Sequence, residues 1–151
     1  MLKCGYKKKS RHIPILNKSN KIKFDVIDTW RGSPEHQIDG WDKQEMMIND
    51  TAFDAFQQNM LPAKGYYNPI RMSSIDAASM YEDNSIDMVF IDADHEYESV
   101  MADVAAWYPK IKSGGVLAGH DLPYEPVQRA VIECFGNQFI DIDGCWAISK
   151  Q

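Results

Sequence analysis

The sequence lacks any apolar run close to the ~20 residues that a membrane-spanning helix needs, and its first residues lack the apolar stretch of a signal peptide. It has only three cysteines, Cys4, Cys134 and Cys145, which are widely spaced and form no CxxC pair. An odd, scattered set predicts free thiols in a reducing, cytoplasmic setting and excludes a disulfide framework or a cysteine zinc site. What is present is a chain of 151 residues, 44% of them hydrophobic, which predicts one globular domain.

Basic side chains are scarce outside the start of the chain. Residues 1–24 hold eight of the 16 basic side chains and none of the 22 acidic ones. The acidic remainder disfavours a phosphate-binding groove, so we expect neither nucleic acid nor a membrane as a partner. We expect residues 1–20 to form a basic, mostly solvated N-terminal segment and residues 21–151 to form the domain.

Short apolar strands alternate with amphipathic helices along the chain. The pattern predicts a helix that Asn49 or Asp50 caps and another that Ser73 or Ser74 caps, with two longer helices in the second half. Strands are predicted over residues 21–28, 69–72, 86–91 and 116–119, followed by a hairpin over residues 139–142 and 145–148. This order predicts an α/β layered domain with a mostly parallel sheet and a C-terminal antiparallel hairpin.

Three of the predicted strands end in polar residues. These ends are Asp28-Thr29-Trp30, Asp92-Ala93-Asp94-His95-Glu96-Tyr97 and His120-Asp121. In a parallel sheet, all three ends fall along the edge where ligands bind. Any one of these strand ends alone is better explained as a helix cap, but three such ends together favour a site. We therefore expect the following residues to converge: Asp28, Asp92, His95, His120 and Asp121.

The chemistry of these side chains suggests separate roles. Asp92 and Asp121 offer hard oxygen ligands for Mg²⁺ or a similar divalent cation, and His120 can complete the set. The imidazole of His95 is suited to accept a proton from a hydroxyl near neutral pH. Asp28 lies at the end of a strand, which is the position of carboxylates that bind ribose hydroxyls in nucleotide sites.

The segment Asp87–Tyr97 and the motif Gly119-His120-Asp121 resemble the second half of class I S-adenosylmethionine-dependent methyltransferases. The resemblance is to the branch that includes sugar and antibiotic O-methyltransferases and cephalosporin-hydroxylase-like proteins. Residues 26–36 resemble that branch's second strand and loop, and residues 74–78 its turn after the third strand. The resemblance covers roughly residues 20–149.

This resemblance implies a Rossmann-like, three-layer methyltransferase fold and methyl transfer to oxygen on a small hydroxylated acceptor. It places Asp28 at the ribose of S-adenosylmethionine and Ser74 near the adenine, and it counts Trp30 and Asp92 among the cofactor-binding residues. Asp92, His120 and Asp121 match metal ligands of the metal-dependent branch. His95 falls where catechol-type enzymes place a basic lysine, so imidazole would replace ammonium as the proton acceptor.

The family's first strand and glycine-rich loop have no counterpart in the sequence. Only Gly5 precedes Asp28, whereas the loop needs glycines to let the backbone approach the cofactor. Three arrangements would repair the sheet. Residues 10–17 could take the place of the missing first strand, the strand ending at Asp28 could pair directly with residues 86–91, or a second copy of the chain could add a strand. Of these we expect direct pairing. Because the glycine-rich loop is missing, we expect weak cofactor binding. Because the sheet exposes additional edges, we also expect self-association.

Two other functions fit the same residues. A metal-dependent hydrolase would be built on the Asp/His cluster, which comprises Asp92, Asp94, His95, His120 and Asp121. A non-catalytic interaction domain would use the fold as a surface, with the basic segment docking on an acidic partner. Cofactor and metal binding separate these possibilities from a methyltransferase.

Overall fold

The structure is a computed structural model that describes residues 22–32, residue 45 and residues 48–151. The chain divides into two compact units at the bond between Met72 and Ser73. The first unit is described from residue 22, and the second comprises residues 73–151. Two predictions lie outside the described residues, namely the basic segment over residues 1–20 and the substitute strand over residues 10–17. None of the helices in the described residues is long and apolar enough to span a membrane.

The described residues of the first unit include two strands, a helix and a short 3₁₀ turn at Leu61–Ala63. Strand β1 (Asp25–Asp28), helix α1 (Ala52–Asn59) and strand β2 (Asn68–Arg71) follow one another along the chain. β1 and β2 pair in parallel, and Asp28 is the partner of Arg71 at the end of the register. A cluster of largely buried side chains supports this pair: Val26, Trp30, Ala52, Phe56, Met60 and Ala63.

Helix α1 begins later than predicted. Thr51 is its N-cap residue and makes no side-chain cap hydrogen bond. Asp50, an expected cap, has a left-handed backbone (φ 57°), and its carboxylate pairs with Arg71 instead. Phe56 within the helix and Met60 at its C-cap are buried on one face.

The second unit holds a four-stranded sheet and three helices. Along the chain its elements are α2 (Ser74–Ala78), β3 (Ile86–Ile91), α3 (Tyr97–Trp107), β4 (Ile111–Gly119), α4 (Glu125–Phe135), β5 (Ile140–Ile142) and β6 (Cys145–Ser149). The strand order is β3-β4-β6-β5, with β3 and β4 parallel and the last two pairings antiparallel. The α/β class and the C-terminal hairpin are confirmed. The expected pairing of β1 with β3 is not found among the described strand pairs, which place the two strands in separate sheets.

Two local features of this sheet differ in how well the sequence predicted them. The hairpin turn falls at Asp143-Gly144 as expected, and both residues have positive φ (50° and 81°), which this dipeptide tolerates. Strand β4 begins at Ile111, five residues before the predicted start. The reason is non-local, because the Gly114 N–H donates to the Lys150 carbonyl (2.8 Å) and the Lys150 N–H donates to the Gly115 carbonyl (2.9 Å).

The core of the second unit lies between the sheet and the helices. Trp107 on α3 and Trp146 on β6 are 2% and 1% exposed, and the ring of Trp146 lies 6.2 Å from that of Phe135 on α4. Trp146 also covers Gly119, where a Cβ atom would lie 2.6 Å from the indole. The packing therefore fixes the end of β4, the strand that leads into His120 and Asp121.

Candidate functional site

The candidate site of the second unit begins where β3 and β4 end side by side. Ile91 and Gly119 are partners in the parallel register, and the N–H of His120 donates to the Ile91 carbonyl at 3.0 Å. Asp92 and His120-Asp121 therefore leave the sheet from adjacent positions. Asp121 adopts a left-handed backbone (φ 58°), which turns the chain sharply directly after the strand.

The carboxylate of Asp121 joins two imidazoles. Its Oδ2 lies 2.8 Å from Nε2 of His95, and its Oδ1 lies 2.9 Å from Nδ1 of His120. The side chains of His95 and Asp121 are 27% and 24% exposed, whereas that of His120 is 49% exposed. Asp121 thus holds one partly buried histidine and one more exposed histidine.

A second carboxylate completes the cluster. Asp92, His95 and Asp121 each offer a ligand atom, and these atoms all lie within 4.8 Å of one another. The sequence predicted a metal set of Asp92, His120 and Asp121. The structure gathers the two aspartates with His95, while His120 contacts the other oxygen of Asp121. A carboxylate–carboxylate–imidazole set fits a single divalent cation in its donor chemistry.

Asp94 does not belong to this cluster, because its side chain binds to residues at the start of helix α3. Its Oδ1 accepts the N–H of Glu96, the N-cap residue, at 3.3 Å, and its Oδ2 accepts the hydroxyl of Ser99 at 3.0 Å. These two hydrogen bonds hold the loop that carries His95. The hydrolase interpretation loses one of its five residues to this structural role.

Two residues near the cluster were missed from the sequence. The ring of Tyr124 lies 5.4 Å from the imidazole of His95, and the residue is 59% exposed. Burial raises the pKa of the Cys145 thiol, and the carboxylates of Asp92 and Asp121 raise it further. The only sequence signal for either residue is its spacing, Tyr124 three residues after Asp121 and Cys145 directly after the hairpin turn.

The candidate cofactor residues of the first unit surround the end of β1. Oδ1 of Asp28 accepts the N–H of Trp30 at 2.8 Å, and Trp30 has a left-handed backbone (φ 54°). The indole of Trp30 is buried against Phe53 and Phe56, with ring centroids 4.6 and 4.9 Å away. Trp30 therefore supports the unit's core with its ring and holds Asp28 with its backbone.

Arg71 is a further residue at this strand end that the sequence analysis did not single out. Its Nε donates to the Thr29 carbonyl at 3.3 Å, its guanidinium pairs with Asp50, and it lies 5.3 Å from the centre of the Phe53 ring. These contacts tie the loop after β1 to the start of α1. They fix the backbone next to Asp28.

Ser74, the predicted adenine neighbour, begins helix α2 in the second unit. Ser73 rather than Ser74 is the cap, since its Oγ accepts the N–H of Asp76 at 3.1 Å. Oγ of Ser74 instead accepts the indole N–H of Trp107 at 2.8 Å. The Ser74 hydroxyl is thereby fixed on a buried side chain of the core.

The structure thus brings together Asp92, His95 and Asp121, with His120 beside them. Asp28 belongs to the first unit, so the convergence of all five residues stays a prediction. The proton-accepting role of His95, the metal-binding role of the aspartates and the cofactor-binding roles likewise stay predictions.

Comparison with known proteins assigns the family. The profile of a family described as a methyltransferase domain matches residues 14–122, well over half of the chain. The chain therefore belongs to this methyltransferase domain family. Among curated protein sequences, none is significantly similar to it.

Solved structures share the fold. The O-methyltransferase NovP superposes with a TM-score of 0.65 and 16% identity, over 92% of this chain and 66% of its own. A Corynebacterium glutamicum protein superposes with a TM-score of 0.59 and 15% identity, over 87% of this chain and 62% of its own. A Staphylococcus aureus structure, assigned as a caffeoyl-CoA O-methyltransferase, has a TM-score of 0.55 and 17% identity. The superposition covers 91% of this chain and 79% of that protein. The chain spans less than two thirds of the length of the first two of these proteins.

Proposed function

We propose that this protein binds S-adenosylmethionine weakly and supports O-methyl transfer to a small hydroxylated acceptor. The observation that carries the proposal is the pair formed by His95 and Asp121 at the ends of two parallel strands, 2.8 Å apart, within a methyltransferase domain. The O-methyltransferases among its structural neighbours support oxygen as the attacking atom.

The His95–Asp121 pair is suited to proton transfer. An ionised carboxylate only accepts hydrogen bonds, so neutral His95 donates to Asp121 through Nε2, and Nδ1 is the unprotonated nitrogen of that tautomer. Asp121 fixes this tautomer and stabilises the imidazolium that forms when the acceptor hydroxyl gives up its proton. When bound, S-adenosylmethionine supplies an electrophilic methyl group on sulfur. The chain's own contribution is to hold the acceptor oxygen and to remove its proton.

The nucleoside end of the cofactor fits the first unit. The Asp28 carboxylate is oriented by the Trp30 N–H, and Arg71 fixes the adjoining loop through Thr29. A carboxylate held at a strand end suits the two hydroxyls of a ribose. In the second unit, the Ser74 hydroxyl accepts one bond from Trp107 and retains its own hydrogen for an acceptor atom.

The amino-acid end of the cofactor is the reason we propose weak binding. The sequence has no glycine-rich segment before Asp28 to cradle it. Charge-assisted hydrogen bonds contribute about 1.5–3 kcal/mol each, so losing two of them costs roughly a hundredfold or more in affinity. We therefore propose a dissociation constant in the high micromolar range or above.

A divalent cation such as Mg²⁺ would use the same cluster in a different way. Asp92, Asp121 and His95 would be its ligands, and a metal-bound imidazole nitrogen cannot accept a proton at the same time. Metal binding through His95 and proton acceptance at that nitrogen are therefore alternatives. With His120 as ligand in place of His95, as predicted from the sequence, both functions would coexist.

We further propose that the protein forms homo-oligomers. Strand β5 is at one edge of its sheet, and Ile140 and Ile142 on it are 59% and 55% exposed. Exposed apolar edge strands favour pairing with another copy. Light scattering at micromolar concentration should give a mass of at least twice 17.3 kDa, and Ile140→Lys should lower it. A wild-type mass of one chain would contradict this proposal.

Calorimetric titration with S-adenosylmethionine, with and without Mg²⁺, tests the function. We expect weak cofactor binding that Asp28→Asn abolishes. Asp54→Asn, a matched change at an exposed position of helix α1, should leave this binding intact. Metal binding without cofactor binding would favour the hydrolase. The absence of binding to both S-adenosylmethionine and Mg²⁺ would favour a non-catalytic interaction domain.

A further inference from the structure

Tyr124 occupies an unusual place for an exposed aromatic side chain. It lies at the N-cap of α4, and its ring centre is 5.4 Å from that of His95 with an angle of 31° between the planes. The two rings therefore pack against each other at a tilt, although Tyr124 is 59% exposed. An aromatic ring beside the candidate base, still largely open to solvent, offers a surface to a ligand.

The backbone that carries Tyr124 is held on both sides. The N–H of Tyr124 donates to the Asp121 carbonyl at 2.9 Å, and the N–H of Leu122 donates to the Gly144 carbonyl at 2.9 Å. Leu122 is buried, being 4% exposed. The loop between β4 and α4 is thus tied to the β5–β6 turn, which places the Tyr124 ring reproducibly next to Asp121 and His95.

We propose that Tyr124 is a specificity-determining residue that stacks on the acceptor and selects acceptors built on a ring with a flat apolar face. This inference rests on the proposed function, because it concerns the acceptor whose hydroxyl His95 would deprotonate. An aromatic ring and a pyranose both present such a face, whereas an acyclic polyol does not. Stacking on Tyr124 would hold the ring so that one of its hydroxyls reaches His95.

Binding measurements on the complete chain test this without requiring turnover. The probes are catechol for an aromatic ring, methyl glucoside for a pyranose and glycerol for an acyclic polyol, each titrated by NMR. We expect at least one ring probe to perturb the Tyr124 and His95 signals and to bind more tightly than glycerol. Binding of catechol alone would identify an aromatic acceptor, and binding of the glucoside alone a sugar.

Variants separate the stacking face from other effects. Tyr124→Phe keeps the ring and should keep the affinity, whereas Tyr124→Ala should weaken the ring probe about threefold to tenfold. Ile132→Ala removes another exposed apolar side chain of α4 and should change nothing. Equal binding of the ring probes and glycerol, or equal affinity of wild type and Tyr124→Ala, would overturn the proposal.

The test is independent of the cofactor. A parallel titration with S-adenosylhomocysteine decides whether the cofactor part of the proposed function holds. Ring-probe binding that depends on Tyr124 supports the inference whether or not S-adenosylhomocysteine binds. Loss of Tyr124 dependence with intact cofactor binding would contradict the inference and leave the methyltransferase function standing.

Discussion

The two units support their candidate residues in different ways. In the first unit, Asp28 ends a strand of four residues that pairs only with β2 among the described strands, and aromatic packing around Trp30 backs it. In the second unit, Asp92 and Asp121 leave a four-stranded sheet that two 11-residue helices accompany. Two-stranded sheets are marginal by themselves, so within the described residues the candidate nucleoside-binding residue Asp28 rests on less sheet structure than the candidate proton-accepting cluster.

The largest expected effect separates the two units by function. His95→Gln should lower any methyl transfer by about 10²- to 10⁴-fold, the usual contribution of a positioned base, while the dissociation constant of the cofactor stays unchanged. Asp28→Asn should do the reverse, raising that constant with little effect on the rate at saturation. Rates at saturating acceptor together with calorimetry measure both. A His95→Gln variant that transfers methyl as fast as wild type would exclude His95 as the base.

The next effect concerns one buried tryptophan of each unit, Trp146 and Trp30. Trp146→Ala should destabilise the second unit by about 3–5 kcal/mol and disrupt the cluster, since the indole packs on Gly119 and Phe135. Trp30→Ala should cost about as much but act on the first unit. Hydrogen exchange, read separately for β1–β2 and β3–β4, should show each loss of protection in its own unit. Loss of protection throughout the chain from either substitution would mean that the units unfold together.

A smaller effect is expected at Gly119. An added Cβ would lie 2.6–2.7 Å from the Trp146 indole, so Gly119→Ala should destabilise by about 1–3 kcal/mol through overpacking. Gly65→Ala in the first unit is the control for steric overlap, because no atom lies within 4 Å of a Cβ at that position. Its φ of 90° means that this control still carries backbone strain. Urea denaturation measures both. Full tolerance of Gly119→Ala would show that the indole can move away from the strand end.

The smallest expected effect uses Cys145 as a probe of the cluster. Burial and the carboxylates of Asp92 and Asp121 raise the pKa of this thiol, so at pH 8 it holds less reactive thiolate than an ordinary cysteine and should alkylate slowly. Asp121→Asn removes one negative charge, which should lower the pKa and speed alkylation about twofold, while burial remains. Iodoacetamide labelling from pH 7 to 10, read by mass spectrometry of the Cys145 peptide, tests this. Slower alkylation in the variant would contradict the sign of the effect.

The sequence predicted those elements that local signals specify. Strand β3 and the hairpin around Asp143-Gly144 were located correctly, because a continuous apolar run and a turn dipeptide are local features. The start of β4 was missed because its partners, Ile86 on β3 and Lys150 near the end of the chain, are distant in the sequence. The start of α1 was missed because Asp50 pairs with Arg71.

The candidate site was predictable only in part for the same reason. Asp92 and Asp121 follow apolar strands, so parallel pairing brings them together. Which histidine joins both aspartates depends on the hydrogen bonds of Asp94 and on the turn at Asp121, and this geometry favours His95 over His120. Tyr124 joins them through a loop that the β5–β6 turn fixes, and no sequence period marks such a contact.

We expect the domain to hold the nucleoside of S-adenosylmethionine and to make few contacts with the amino-acid end. The ratio of two dissociation constants, for 5′-methylthioadenosine and for S-adenosylmethionine, tests it most directly. Because both ligands share the nucleoside, we expect the two constants to agree within about tenfold, both in the high micromolar range or above. S-adenosylmethionine binding a hundredfold more tightly than the fragment, with a submicromolar constant, would contradict the claim.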